Sequence, residues 1–223
     1  VPCHKIASFE STDVELIAKV ARTGKPMIMS TGMATAAEID EAVRAARSNG
    51  CEKLILLKCT SSYPAEPTSS NLATIPHLRE MFDCEVGLSD HTMGIGAAVA
   101  ATALGAVAIE KHITLRREDG GVDAAFSLEP EELAALVRET ATAAHAVGKV
   151  SYGPIGNECG SLVFRRSLYV VEDIPAGQEI TPKNLRAIRP GYGLPVKHLQ
   201  DLLGKRASRD LRRGTPASWD LFG

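Results

Sequence analysis

Up to Lys149, short apolar runs alternate with stretches whose apolar residues recur at helical spacing, and each apolar run ends in polar residues. Lys5 to Ser8 reads as a strand ending in Phe9 and Glu10. Val14, Ile17, Ala18 and Ala21 then mark a helix over Asp13 to Thr23, stopped by Gly24. Pro26 to Ser30 is the next strand, closed by Thr31 and Gly32. Thr35 and Glu38 form a capping-box pattern that opens a helix to Ser48. Leu54 to Lys58 is a continuous apolar run, as in a strand covered on both faces, and it opens into Thr60, Ser61, Ser62, Tyr63 and Pro64. A helix over Thr74 to Phe82 leads to a strand ending in Ser89, Asp90 and His91. A small-residue helix, Gly96 to Leu104, leads to a strand ending in Glu110, Lys111 and His112. Pro130 to Val147 is an alanine-rich helix, started by Ser127 or Glu129 and stopped by Gly148.

This is an α/β pattern of five β/α units, which implies a parallel sheet with right-handed crossovers. No Gly-x-Gly-x-x-Gly follows any strand, so a dinucleotide-binding open sheet is disfavoured. Reaction-capable residues end every strand, as on the active face of a (β/α)8 TIM barrel. The expectation is the C-terminal part of such a barrel, with three units not in this chain, which begins at Val1 rather than Met. Two successive strands each deliver a histidine, His91 and His112, at their C-terminal ends. Imidazoles that converge there form a plausible divalent-metal site; the competing reading makes each a hydrogen-bonded rim histidine.

The pattern changes after Lys149. Residues 1–150 form the barrel part, residues 151–162 are a linker rich in Gly, Pro and Asn, and residues 163–223 form a small, mostly β domain. Strand-like pieces fall at Ser167 to Val171, Ile180, Arg186 to Ile188 and Ala207 to Leu211, with helical turns at Pro182 to Leu185 and Val196 to Leu203. Most of its Arg and Lys residues read as solvated charge. Arg189 differs, because the Pro-Gly turn after it restricts the chain and holds its guanidinium in place.

Composition narrows the function classes. At 223 residues, 44% hydrophobic and 23% charged, the chain is globular. A net charge of −2 gives no reason to expect nucleic-acid or anionic-membrane binding. No apolar run reaches spanning length. Cys3, Cys51, Cys59, Cys84 and Cys159 are odd in number and lack metal-site spacing, which favours reduced thiols in a cytoplasm.

Several stretches together resemble the sialic acid synthase family: Lys5-Ile-Ala-Ser-Phe-Glu10, Ser30-Thr-Gly-Met33, Lys58-Cys-Thr-Ser-Ser-Tyr-Pro64, Gly87-Leu-Ser-Asp-His-Thr92 and Glu110-Lys-His-Ile-Thr114. Phe164-Arg-Arg-Ser-Leu-Tyr169, Ile188-Arg-Pro-Gly-Tyr-Gly193 and Leu203-Gly-Lys205 resemble that family's antifreeze-like (SAF) domain. Within the family, the first motif, Asp119 to Ser127 and the Gly-Tyr-Gly-Leu-Pro stretch are most similar to the pseudaminic acid synthases, ahead of the neuraminate, legionaminate and spore-coat homologues.

The resemblance implies condensation of phosphoenolpyruvate with an acetamido sugar, releasing phosphate and forming a nine-carbon keto acid. It implies Mn2+ or Mg2+ on His91 and His112, with Glu10 as the acid or base acting on attacking water. It implies phosphoenolpyruvate on Lys5, Ser8, Ser30 and Ser89 with Thr60 or Ser61 nearby, and the sugar facing Tyr63 and Asp123. Arg189 would reach the partner's sugar pocket in a homodimer. Asp90 is expected to orient His91, and Lys58 and Lys111 to be rim or packing residues. The absent units would supply an acid, a lysine and an asparagine, so little synthase activity is expected of this chain alone. The competing classes are a non-catalytic carbohydrate-binding fragment and a metal-dependent aldolase or other phosphoenolpyruvate-condensing barrel, for which Arg189 would be dispensable.

Overall fold

The computed structural model describes residues 1–223, which divide into two units, Val1–Lys149 and Val150–Gly223. In the first, strands β1 (His4–Ile6), β2 (Met27–Ser30), β3 (Leu54–Cys59), β4 (Glu85–Asp90) and β5 (Ile109–Lys111) form one parallel sheet in the order β1-β2-β3-β4-β5. Sequential order without a reversal is the barrel arrangement; a doubly wound sheet reverses at a switch point. The curl is visible in side-chain contact: Lys5 on one edge strand and Glu110 on the other meet at 3.4 Å over the concave face. The sheet is thus a half-barrel, part of a TIM-type fold.

Helices α1 (Val14–Ala21), α2 (Ala36–Ser48), α3 (Thr74–Phe82), α4 (Gly96–Ala103) and α5 (Pro130–Val147) connect and follow the strands. The two-residue period of the strands sorts their side chains. Ile6, Met27, Met29, Leu54, Leu56, Val86 and Leu88 join Ile17, Ile39, Val43, Ile75, Leu78 and Phe82 from the helices in one buried core. Each of these large apolar side chains contributes about 1.5–3 kcal/mol on burial. The alternate positions, Lys5, Ser30, Cys59 and Ser89 among them, are left for the concave face. Gly87 is on that face because nothing larger fits: a Cβ there would sit 2.4 Å from the Ala108 carbonyl oxygen and 2.6 Å from Leu57 Cδ2.

The capping box forms as its pattern requires, with Glu38 N–H donating to Thr35 Oγ1 at 3.3 Å and Thr35 N–H to Glu38 Oε2 at 2.7 Å. Glu129 is the N-cap of α5. The first strand is shorter than its sequence suggests. It stops at Ile6 and Ser8–Glu10 forms a 3-10 turn, because the Glu10 carboxylate turns back to accept the Ala7 N–H at 2.9 Å. All five cysteines are free, and no helix is long and apolar enough to cross a membrane.

The second unit pairs β6 (Ser167–Val170) antiparallel with β7 (Leu185–Ile188). The strands expected at Ile180 and over Ala207 to Leu211 are instead single bridges: Glu179 to Arg206, Ala207 to Phe222 and Ile174 to Leu211. Left-handed glycines at 177, 204 and 214, with Pro175 and Pro182, cut the ladders short. The linker stretch contains a single turn of helix, α6 (Glu158–Ser161), and a further turn of helix, α7 (Leu199–Leu202), precedes Gly204. The unit has its own core of Leu168, Val170, Ile174, Ile180, Leu185, Leu202, Leu211, Leu221 and Phe222. On its surface, Trp219 meets the His198 ring edge-on at 5.0 Å, and His198 Nδ1 is 3.1 Å from Asp201 Oδ2.

Candidate active site

The C-terminal ends of β1 to β5 bring the predicted residues of the first unit into one polar floor. Lys5 Nζ donates to Ser30 Oγ at 2.9 Å, and Ser89 Oγ donates to Glu110 Oε1 at 2.7 Å. With the Lys5 contact, Glu110 joins the two edges and β4. Ser61 Oγ donates to Ser8 Oγ at 2.8 Å. Gly32, at φ +51°, permits that approach, since a Cβ there would lie 2.4 Å from Ser8 Cβ and 2.8 Å from Ser61 Oγ. Ser8, Ser30, Ser89 and His91 are buried, whereas Glu10 is exposed.

The aromatic rings close over one side. His91 and His112 have ring centroids 5.3 Å apart, Tyr63 is 4.2 Å from His91 and 5.9 Å from His112, and Phe126 is 5.1 Å from His112. Asp123 reaches this cluster from a loop that turns through Gly120 and Gly121, and it is itself left-handed at φ +66°. Aspartate tolerates that conformation better than most residues.

His91 Nδ1 lies 2.8 Å from the Thr60 carbonyl oxygen, and His112 Nδ1 lies 3.6 Å from Asp123 Oδ2. The Thr60 carbonyl is an acceptor within hydrogen-bond reach, so the His91 ring is assigned its proton on Nδ1 and its lone pair on Nε2; Asp123 stands near the His112 ring without a hydrogen bond to it. Such a tautomer, fixed by an oxygen behind the ring, is the usual state of a metal-binding histidine. The two imidazoles fit a divalent ion as a pair. No cluster of three or more His, Cys, Asp or Glu side chains in this chain is placed to hold one, so any further ligand comes from outside these residues. Burial pulls His91 toward its neutral form, but the Cys59 sulfur, the Thr60 carbonyl and the Asp90 charge outweigh it and hold its pKa above the ordinary value. Burial likewise works against ionisation of the Cys59 thiol, and its contacts with His91, Ser61 and Ser89 reverse the balance and lower its pKa. Burial raises the Tyr63 phenol.

One expectation needs correction and one is narrowed. Asp90 does not contact His91; its Oδ1 accepts from Thr92 N–H at 2.9 Å and Thr92 Oγ1 at 2.8 Å, and its Oδ2 from Lys111 Nζ at 2.7 Å. Lys111 is therefore half of a buried ion pair and not a rim residue. Glu110, one of the reaction-capable strand-end residues, takes a place in the floor that the resemblance does not assign to it. Arg189 belongs to the second unit, where it is exposed at the end of β7 and borders a 460 Å³ crevice with Arg166, Ala187 and Ile188.

Residues 1–152 match the profile of the NeuB family, and residues 165–223 match the SAF domain. The chain belongs to the NeuB family. This NeuB chain is 39% identical over 221 residues to a pseudaminic acid synthase of Helicobacter pylori, covering 98% of the chain and 65% of that relative. It is 36% identical over 211 residues to an N,N'-diacetyllegionaminic acid synthase of Campylobacter jejuni, covering 93% and 63% respectively. The chain thus spans somewhat less than two thirds of these relatives. Among solved structures, the N-acetylneuraminic acid synthetase of Leptospira borgpetersenii in complex with citrate superposes with a TM-score of 0.68 at 37% identity, over 73% of this chain and 56% of that one.

Proposed function

We propose that the protein carrying this chain condenses phosphoenolpyruvate with an acetamido sugar to form a sialic-type acid and phosphate, with a diacetamido precursor of pseudaminate as the sugar. The observation that carries this is the single floor formed by Lys5, Ser30, Ser89 and Glu110 beside the paired imidazoles of His91 and His112. The relatives named above support the reaction class. The pseudaminate assignment draws on the Helicobacter pylori relative and on the Asp119 to Ser127 loop.

Phosphoenolpyruvate is a compact polyanion. Lys5 supplies a cation to it, and the hydroxyls of Ser8, Ser30, Ser61 and Ser89 supply donors; the Thr60 hydroxyl is engaged elsewhere, donating to the Ser69 carbonyl and accepting from Lys58. Tyr63 and Asp123 line the sugar side. Glu10 holds the Ala7 N–H through Oε2, which leaves Oε1 to accept a proton from the water that attacks the cationic centre. His91 and His112 would hold Mn2+ or Mg2+, and imidazole ligands favour Mn2+. When bound, the ion supplies Lewis-acid polarisation of the sugar aldehyde. Arg189 serves the sugar pocket of a second copy in a homodimer.

The test is phosphate release from phosphoenolpyruvate by the full-length protein with Mn2+. The diacetamido-trideoxy-altrose precursor of pseudaminate is expected to support turnover and N-acetylmannosamine is not. The reverse result keeps the chemistry and replaces the sugar; silence with both, in a folded protein, points to a different sugar or to glycan binding.

A further inference from the structure

We propose that the buried Asp90–Lys111 ion pair is a positioning device that sets the spacing of His91 and His112 for metal binding. The inference rests on the metal reading above.

Asp90 and Lys111 are register partners at the ends of β4 and β5, and each immediately precedes one of the histidines. Their side chains are 2% and 4% exposed and lie on the face of the sheet opposite the imidazoles, as the strand period requires. Lys111 Nζ donates to Asp90 Oδ2 at 2.7 Å and also to the Thr92 carbonyl oxygen at 2.5 Å. Asp90 Oδ1 meanwhile holds Thr92 through both its N–H and its hydroxyl. One ammonium from the strand that carries His112 therefore grips the residues on both sides of His91. One register pair back, Ser89 Oγ and Glu110 Oε1 tie the same two strands at 2.7 Å; the Asp90–Lys111 pair is the tie that adjoins both histidines.

β5 needs such a grip. It is three residues long, stands at the edge of the sheet and pairs along one side only, with β4. Its ladder with β4 ends at the Asp90–Lys111 pair; beyond it the His112 carbonyl accepts from Leu128 N–H at 2.9 Å, which holds His112 to the following segment and not to the strand that carries His91. Stability alone does not account for two buried charges, because an apolar pair of similar volume often serves packing as well or better. An ion pair with fixed hydrogen-bond directions gives what an apolar pair cannot, a set distance between two strand ends.

The test uses K111M and, because an unpaired buried carboxylate can unfold the chain, D90N/K111M, in which the asparagine oxygen still accepts from Thr92. Mn2+ binding is read from the free-ion electron paramagnetic resonance signal and folding from thermal denaturation by circular dichroism. In variants that melt within a few degrees of the parent, Mn2+ affinity is expected to fall about 10–100-fold, the usual effect of losing support behind a ligand. Unchanged affinity in folded D90N/K111M overturns the inference and leaves the metal reading standing. Absence of Mn2+ uptake by the unaltered protein, or uptake that survives H91A/H112A, overturns the metal reading and this inference with it.

Discussion

Lys58 shows how strongly one side chain's environment can depart from its neighbours'. Its ammonium is buried on the sheet's convex side and meets Thr60 Oγ1 at 2.7 Å and the Cys59 carbonyl oxygen at 3.4 Å, with no carboxylate paired to it. Burial accordingly lowers its pKa below the 10.5 of free lysine. In the window between the two values the unfolded chain binds more protons than the folded one, so stability rises with pH there, and the full penalty stands below it. K58M removes the penalty. In urea denaturation, the stability of K58M relative to the parent is expected to be greater at pH 7 than near pH 10.5; a gap that does not narrow would show that Lys58 is not paying for its burial. Consecutive polar residues at strand ends are the least legible positions of the first unit. Asp90 and His91, or Glu110 and Lys111, face opposite sides of the sheet because strand side chains alternate, so polar residues adjacent in sequence do not meet. Lys5, Ser30 and Ser89 are legible through the family resemblance of their motifs and both histidines through their places at successive strand ends, whereas no motif match assigns Glu110.

At the level of the element, β4 is the strand on which the site depends, since it pairs on both sides and delivers Ser89 and His91. Gly87 in its middle admits β5 and Leu57 at contact distance. G87A inserts a methyl group against the Ala108 backbone carbonyl oxygen and against a terminal methyl of the buried Leu57 side chain. It is expected to cost about 1–3 kcal/mol or more, measured as a lower urea midpoint at unchanged slope. Helices and strands of the first unit were readable because caps and periodicity agree along them, as at Thr35 and Glu38. The second unit was harder: its chain makes isolated bridges between turns, and one bridge leaves no period in the sequence.

For the whole molecule, the two units keep separate cores. Residues 165–223 bury Leu168, Val170, Ile174, Ile180, Leu185, Leu202, Leu211, Leu221 and Phe222 among themselves. Domains of this size, about 55–65 residues, can fold alone. A chain of residues 165–223 is therefore expected to unfold cooperatively on heating, with dispersed amide resonances before the transition. A gradual, non-cooperative melt would show that its core needs the rest of the protein.

Trp219 is the only tryptophan of the chain, and it stands in the second unit against His198, while the five long helices all belong to the first. Indole emission and helical ellipticity therefore observe different halves of one polypeptide. A single sample titrated with denaturant yields two independent curves without any label, and their coincidence or separation measures directly how far the halves cooperate.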